Sequence, residues 1–108
     1  LLAAFTQLGT PYRRNTSKPG VGFDCSGLTT YAWGVAGVRL TRQSSAQINA
    51  AVPRTLESAE AGDLVQYPGH VMMYLGLDKA IVHAIQPGRP VEVDYISKRR
   101  ELRFGHPA

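Results

Sequence analysis

The only cysteine of this chain, Cys25, lies in the segment Gly22-Phe23-Asp24-Cys25-Ser26-Gly27-Leu28, where a polar, glycine-containing loop gives way to a helical pattern. A thiol in the first turn of a helix faces unpaired backbone N–H groups and the positive end of the helix dipole, which favour the thiolate. A lone cysteine is more often a small buried hydrophobic residue. Because polar Asp24 and Ser26 flank this thiol, we interpret Cys25 as a nucleophile.

Two histidines in apolar, strand-like stretches are the candidate partners of the thiol. His70 follows the turn Pro68-Gly69 and is predicted at a strand end, whereas His83 is predicted in the middle of a strand. A thiol nucleophile needs a base that takes its proton and returns it to the leaving amine, and the base needs a group that orients it. Each histidine alone is more often structural. If their strands are neighbours across the turn at 77–79, the two rings can face the same side.

A catalytic zinc site with one thiolate and two imidazoles is the competing interpretation. The sequence has no Cys-x-x-Cys or His-x-x-x-His spacing that would preorganise a metal. Gly20-x-Gly22 also lacks the other glycines and the lysine of a phosphate-binding loop. We therefore expect thiol chemistry without a metal or other cofactor. The third histidine, His106, is expected at the surface.

The helices that must position Cys25 follow from the spacing of apolar residues. A short helix is predicted over 1–8 with Gly9 as its stop, followed by an irregular loop over 10–22. Asp24 is a good N-cap, and apolar residues at helical spacing predict a helix from Cys25 to about Ala36. Another short helix is predicted between the polar segment 41–45 and Pro53.

After Gly62 the apolar period changes from helical to strand-like. Closely spaced strands are predicted at 63–67, 71–77, 80–85, 91–93 and 102–104. Helices followed by a run of strands predict an α+β fold, with helices packed on an antiparallel sheet of about five strands, rather than alternating βαβ units.

The length and composition indicate one domain. A chain of 108 residues with 44% hydrophobic and 19% charged residues can bury a single core. No apolar run approaches the roughly 18 residues that a membrane span needs. The start, Leu1-Leu2-Ala3-Ala4-Phe5, lacks the charged lead of a signal peptide. We expect residues 1–108 to be one catalytic domain excised from a longer exported protein.

The net charge of +4 favours anionic partners, or serves only for solubility. Lys98-Arg99-Arg100, followed by Arg103, is the densest basic cluster. No aromatic residue is interleaved within 98–100 for base stacking, so we expect no nucleic-acid partner.

Successive segments of the chain resemble the signature blocks of the NlpC/P60 cysteine peptidases of bacterial cell walls. In order, and spanning nearly the whole chain, they are Gly9-Thr10-Pro11-Tyr12, Phe23-Asp24-Cys25-Ser26-Gly27-Leu28, Ala61-Gly62-Asp63-Leu64-Val65, His70-Val71-x-x-Tyr74-Leu75-Gly76 and Ile81-Val82-His83-Ala84. The resemblance implies a compact papain-like fold, with the cysteine at the start of a central helix. It also implies Cys25 as nucleophile, His70 as general base and acid, and His83 as the residue that orients His70.

The same resemblance implies a substrate and contacts to it. The family typically cleaves the bond between the γ-carboxyl of D-glutamate and a diamino acid, such as meso-diaminopimelate, in peptidoglycan stem peptides. Tyr12 matches a family tyrosine that positions the substrate or supports the oxyanion, and the backbone N–H of Cys25 would stabilise the oxyanion further. Asp24 and Ser26, beside the nucleophile, are further candidate contacts.

Two segments depart from the family pattern. Arg13-Arg14-Asn15 stands where the family commonly has Trp-Gly-Gly, and the segment 41–47 has Thr41 where proline is usual. Arg42 and Ser45 remain candidate substrate contacts, although Ser44 or Ser45 could merely cap the next helix. Stem peptides carry free carboxylates, which Arg13, Arg14 or Arg42 could recognise through paired hydrogen bonds.

The resemblance therefore predicts an extracytoplasmic endopeptidase, whether secreted, periplasmic or associated with the cell wall. It would act as a monomeric domain on peptidoglycan stem peptides, without inserting into a membrane. An amidase or acyltransferase on the same scaffold is one alternative, because a fold does not determine the acyl donor. A non-catalytic wall-binding module is another, although the presence of Cys25, His70 and His83 argues against it.

Overall fold

Three short helices precede most of the strands in the residues that this computed structural model describes, 1–96 and 101–107. The helices are α1 (Leu2–Phe5), α2 (Cys25–Val35) and α3 (Ser44–Ala50). The strands are β1 (Ser17–Lys18), β2 (Gly22–Phe23), β3 (Val52–Arg54), β4 (Leu64–Tyr67), β5 (His70–Tyr74), β6 (Ala80–His83), β7 (Glu92–Tyr95) and β8 (Arg103–His106). The basic residues 98–100 lie outside the described ranges.

One antiparallel sheet of six strands, in the order β3-β8-β4-β5-β6-β7, forms the centre of the fold. All five residues of β5 are buried. Side chains alternate between the faces of a strand. Val71 and Met73 pack on the face covered by the helices, while Met72 and Tyr74 pack with apolar loop residues on the other face. Both faces of β5 are therefore covered, and the helix α2 packs against this strand.

The α+β class predicted from the sequence is confirmed, and so is the start of α2 at Cys25. The first helix is shorter than predicted, since only Leu2–Phe5 is helical before turns that end at Gly9 with a φ of 88°. The predicted loop 10–22 contains the small ribbon of β1 and β2.

The predicted sheet lacked one strand, β3. Pro53 lies within β3, and proline argues against a central strand because it cannot donate to the ladder. β3 is at the edge of the sheet, where that donor is dispensable. A second correction concerns β6, which ends at His83, so this histidine lies at a strand end and not in the middle.

No helix within residues 1–96 and 101–107 has the length and apolar character needed to cross a membrane.

Candidate active site

Cys25 is the first residue of α2 and is half-buried. It packs against an apolar cluster of Ile48, Leu64 and Val71, the last of which directly follows His70 on β5. Asp24 caps the helix, since its Oδ1 accepts a hydrogen bond of 2.7 Å from the backbone N–H of Gly27. The first N–H groups of a helix have no intrahelical acceptor. The sequence therefore places the sulfur beside donors that can stabilise negative charge.

Gly27 allows the loop before α2 to lie directly against the first turn of this helix. A Cβ atom at this position would be 2.1 Å from the carbonyl oxygen of Thr16. Ser17 completes the contact, because its hydroxyl donates to the carbonyl oxygen of Gly27 at 2.8 Å. The surface next to Cys25 therefore depends on the absence of a side chain at Gly27.

His70 and His83 meet across neighbouring strands, as the sequence suggested. His70 Nε2 and His83 Nδ1 are 2.8 Å apart, and the two residues are only 5% and 4% exposed. The β5–β6 register pairs Met73 with Val82. Continued by one residue, it places His83 opposite Met72 and diagonal to His70 on the same face.

Asp94 extends this histidine pair across a third strand. The β6–β7 register pairs His83 with Glu92, so Asp94 lies one diagonal step farther on the same face. Its Oδ2 is 3.5 Å from His83 Nε2. Asp94 was missing from the sequence-based candidates. The alternation of carboxylates with Val93 in β7 was the available signal, but it does not identify the facing strand.

The carboxylate of Asp94 determines which nitrogen of His83 carries the proton. Burial lowers the pKa of His83, an effect that Asp94 and Glu92 partly offset, so the ring is neutral at pH 7. At 3.5 Å the carboxylate is too distant for a hydrogen bond, but its negative charge favours the proton on the nearer nitrogen, His83 Nε2. His83 Nδ1 then accepts from His70 Nε2–H, and the basic lone pair of the neutral His70 ring is at Nδ1.

Tyr12 lies close to the nucleophile. A bridge to Phe23 and a hydrogen bond from its own N–H to the carbonyl oxygen of Arg89 fix its backbone. Burial, followed by the negative charges of Cys25 and Asp24, raises the pKa of Tyr12. Its hydroxyl therefore stays protonated and can donate a hydrogen bond near the sulfur.

Arg42 contacts both residues that flank the nucleophile. Its Nη2 donates to Asp24 Oδ1 at 2.8 Å, and its Nη1 donates to Ser26 Oγ at 2.6 Å. A third bond of 3.2 Å reaches the carbonyl oxygen of Thr16. The guanidinium thus ties the loop before α2 to the first turn of this helix.

These polar residues line an open cleft of about 470 Å³, whose lining includes Asp24 and Ser26, the two sequence neighbours of Cys25. Its walls are formed by Asn15, Asp24, Ser26, Arg42, Gln43, Ser44 and Ser45. Ser45 is therefore exposed to this cleft. The alternative that Ser44 or Ser45 caps α3 is wrong, because Gln43 is at the N-cap position and makes no side-chain capping bond.

The structure also bears on His106 and on the alternative zinc site. The side chain of His106 is 35% exposed, as expected for a residue at the surface, but it also pairs with fully buried Asp63 at 2.6 Å and contacts the Trp33 ring edge-on. Among the described residues, Cys25 and His70 do not belong to any cluster with metal-ligand spacing. The described residues therefore give no support to the zinc alternative built from Cys25, His70 and His83.

Comparison with known proteins identifies similar domains. Residues 9–101 match the model of the NlpC/P60 family. A probable endopeptidase of Corynebacterium glutamicum is 35% identical over 108 aligned residues, which cover 94% of this chain and 51% of that protein. The chain spans about a quarter to a half of the length of the curated relatives it matches.

Solved structures share the fold. The peptidoglycan hydrolase RipB of Mycobacterium tuberculosis superposes with a TM-score of 0.86 at 30% identity, covering 97% of this chain and 61% of that one. RipD of the same organism, described as a non-catalytic NlpC/p60 domain protein adapted to peptidoglycan binding, gives a TM-score of 0.82 at 25% identity over 97% of this chain and 92% of that one. These matches confirm the papain-like α+β fold.

Proposed function

The chain belongs to the NlpC/P60 family, and from that premise we propose that it is a cysteine endopeptidase that hydrolyses peptidoglycan stem peptides. The observation that carries the proposal is the buried contact between His70, on the strand β5 that packs against the helix beginning with Cys25, and His83 on the neighbouring strand β6. A nucleophile, a base and an orienting group are the parts that amide hydrolysis by a thiol requires.

In the proposed reaction His70 Nδ1 takes the proton of Cys25, and the sulfur attacks the carbonyl carbon of the scissile amide. The tetrahedral intermediate collapses when the C–N bond breaks, and the leaving amine receives the proton from His70. A water molecule, deprotonated by His70, then attacks the thioester and releases the carboxylic acid. The final proton transfer restores the thiol.

His83 and Asp94 hold His70 in the form that this reaction needs. His83 Nδ1 accepts the Nε2–H of His70 and so fixes the plane of its ring. Asp94 acts through His83 as a positioning residue, because it keeps the proton of His83 on Nε2. The hydrogen bond between the two rings requires that water is excluded from it, and both histidines are nearly fully buried.

The oxyanion of the intermediate would be stabilised by the backbone N–H of Cys25 and by the hydroxyl of Tyr12. One such donor contributes about 2.7–4 kcal/mol in other hydrolases. The raised pKa of Tyr12 supports this role, since the hydroxyl keeps its proton at the pH of cell-wall turnover.

The cleft next to Cys25 suits a peptide that carries both amine and carboxylate groups. Asp24 presents a carboxylate and Arg42 a guanidinium, and Ser26 and Ser45 add hydroxyls. We assign this cleft to the stem peptide and the scissile bond to the γ-linkage between D-glutamate and meso-diaminopimelate. Such a substrate requires extracytoplasmic action, and the domain acts as a monomer.

The decisive experiment is incubation of a defined stem peptide with the wild-type chain and with Cys25→Ala, followed by mass analysis of the products. We expect fragments from cleavage after D-glutamate with the wild type and none with the variant. Equal release by both chains would exclude Cys25 as the nucleophile. Fragments from cleavage of another amide bond, or transfer to an added amine, would instead identify an amidase or an acyltransferase.

A non-catalytic wall-binding module is the second candidate, because the chain superposes well on RipD. Sedimentation with purified peptidoglycan measures binding, and labelling with iodoacetamide measures thiol reactivity. Binding without product formation and without labelling of Cys25 would favour this candidate over the peptidase.

A further inference from the structure

We propose that His83, Glu92 and Asp94 bind one divalent transition-metal ion, with Zn²⁺ as the representative ion, and that the bound ion inhibits the peptidase. The binding half of this proposal stands on the structure alone. The inhibitory half rests on the function proposed above.

The three side chains converge because of the register between β6 and β7. His83 is opposite Glu92, and Asp94 is two residues farther along the same face of β7. One ligand atom from each residue lies within 4.8 Å of the other two. The carboxylates are partly exposed on an edge strand, so an ion can enter from solvent.

The buried nitrogen of His83 points into this group. His83 Nε2 is solvent-inaccessible and has no hydrogen-bond partner among residues 1–96 and 101–107. Asp94 Oδ2 lies 3.5 Å from this nitrogen, which is longer than a hydrogen bond. A buried polar atom without a partner is costly, and a metal ion would give this nitrogen a ligand bond.

One imidazole and two carboxylates form a donor set for zinc and its transition-metal neighbours. Calcium and magnesium prefer sites made only of oxygen. Ligand bonds of about 2.0–2.2 Å in a tetrahedral zinc site place the donors roughly 3.4 Å apart. The side chains must therefore close by about 1 Å, which the carboxylates can supply because the side chain of Asp94 is 42% exposed.

The positive charge of Arg89 should weaken metal binding at this site. Its guanidinium forms an ion pair with Glu92 on the same edge of the sheet. A metal ion must displace this cation or share Glu92 with it. Removing the charge of Arg89 should therefore tighten metal binding, which is an effect that general damage to the fold would not produce.

Binding of the ion would reverse the proton order of the histidine pair. The metal takes the Nε2 lone pair of His83, so the single proton of the neutral ring must lie on Nδ1. That N–H then donates to His70 Nε2, and the proton of neutral His70 moves to Nδ1. His70 Nδ1 is the atom that must take the proton of Cys25, so the base is blocked.

The binding test uses the Cys25→Ala chain, in which zinc cannot be captured by the catalytic thiol. Titration calorimetry with Zn²⁺ should give one ion per chain, and affinity should fall by at least roughly tenfold after Glu92→Gln or Asp94→Asn. Arg89→Met should bind more tightly. Glu57→Gln, at an exposed carboxylate outside the group, is the matched control and should bind like its parent, and Mg²⁺ should give no heat.

Absence of zinc binding, or equal affinity in the Glu92→Gln and Glu57→Gln chains, would overturn the site. In the chain with intact Cys25, Zn²⁺ should inhibit peptide release, each variant being compared with its own activity in chelator. Glu92→Gln should need at least tenfold more zinc for half inhibition. Inhibition of both chains at the same zinc concentration would mean that the ion acts on Cys25 and His70 directly. A chain that binds zinc but cleaves no peptide would refute the proposed function while leaving the site intact.

Discussion

The hydrogen bond between His70 and His83 can be removed with a calculable effect on the rate. His83→Ala deletes the acceptor that lies 2.8 Å from His70 Nε2, at a position that is 4% exposed. During acyl transfer His70 is an imidazolium ion, and a hydrogen bond to a charged group contributes about 1.5–3 kcal/mol. Since 1.36 kcal/mol corresponds to tenfold in rate, kcat should fall by about 10- to 150-fold.

The assay is the steady-state cleavage of a defined stem peptide, with kcat and KM measured separately. KM should change little, because His83 does not line the cleft beside Cys25. His83→Asn should recover part of the lost rate, since the amide Oδ1 of asparagine and the Nδ1 of histidine are each one bond beyond Cγ. The asparagine oxygen can therefore accept the same N–H.

His106→Asn is the matched control for this experiment. It removes a histidine whose partner is Asp63, away from the catalytic groups, and it should retain the wild-type kcat. Thermal unfolding establishes that each variant is folded at the assay temperature. If folded His83→Ala cleaved the peptide within threefold of the wild-type rate, the assignment of His83 as the orienting residue would be wrong.

Two further substitutions test the surroundings of Cys25. Gly27→Ala places a Cβ atom 2.1 Å from the Thr16 carbonyl oxygen and should lower the free energy of unfolding by about 1–3 kcal/mol in urea titrations. Gly34→Ala, in the same helix, places its Cβ atom in open space and should raise the free energy of unfolding by up to about 1 kcal/mol. Equal effects of the two substitutions would contradict the packing argument. Tyr12→Phe should lower kcat by about 100- to 1,000-fold if the hydroxyl supports the oxyanion, whereas an unchanged kcat would assign this tyrosine to packing alone.

The sequence predicted those parts of the site that depend on local signals. Asp24 is a strong N-cap residue, and the apolar spacing after Cys25 has the helical period, so the position of the thiol in the first turn followed directly. The turn before His70 likewise placed this residue at a strand end. In both cases the residues that determine the conformation are within a few positions of the catalytic group.

The parts that escaped prediction depend on residues distant in the sequence. Arg42 was predicted as a substrate contact, but the sequence did not reveal that its guanidinium is bonded to Asp24, 18 positions away along the chain. The sequence around Arg42 shows that a guanidinium is present, but it does not show which carboxylate binds to it. Asp94 was missed for the same reason, because its neighbour His83 is known only after the pairing of β6 with β7.

In the turn between β5 and β6, local backbone geometry determines a contact between residues that are distant in the sequence. Asp78 and Lys79 both have a φ of 55°, and Leu75 N–H bonds to the carbonyl oxygen of Ala80 at 2.9 Å, so the hairpin closes in one register. Side chains alternate between the faces of a strand, and a slip of one residue would move His83 to the opposite face, away from His70. The geometry of two turn residues therefore determines whether the histidines form a catalytic pair, although neither turn residue has any chemical role in the reaction.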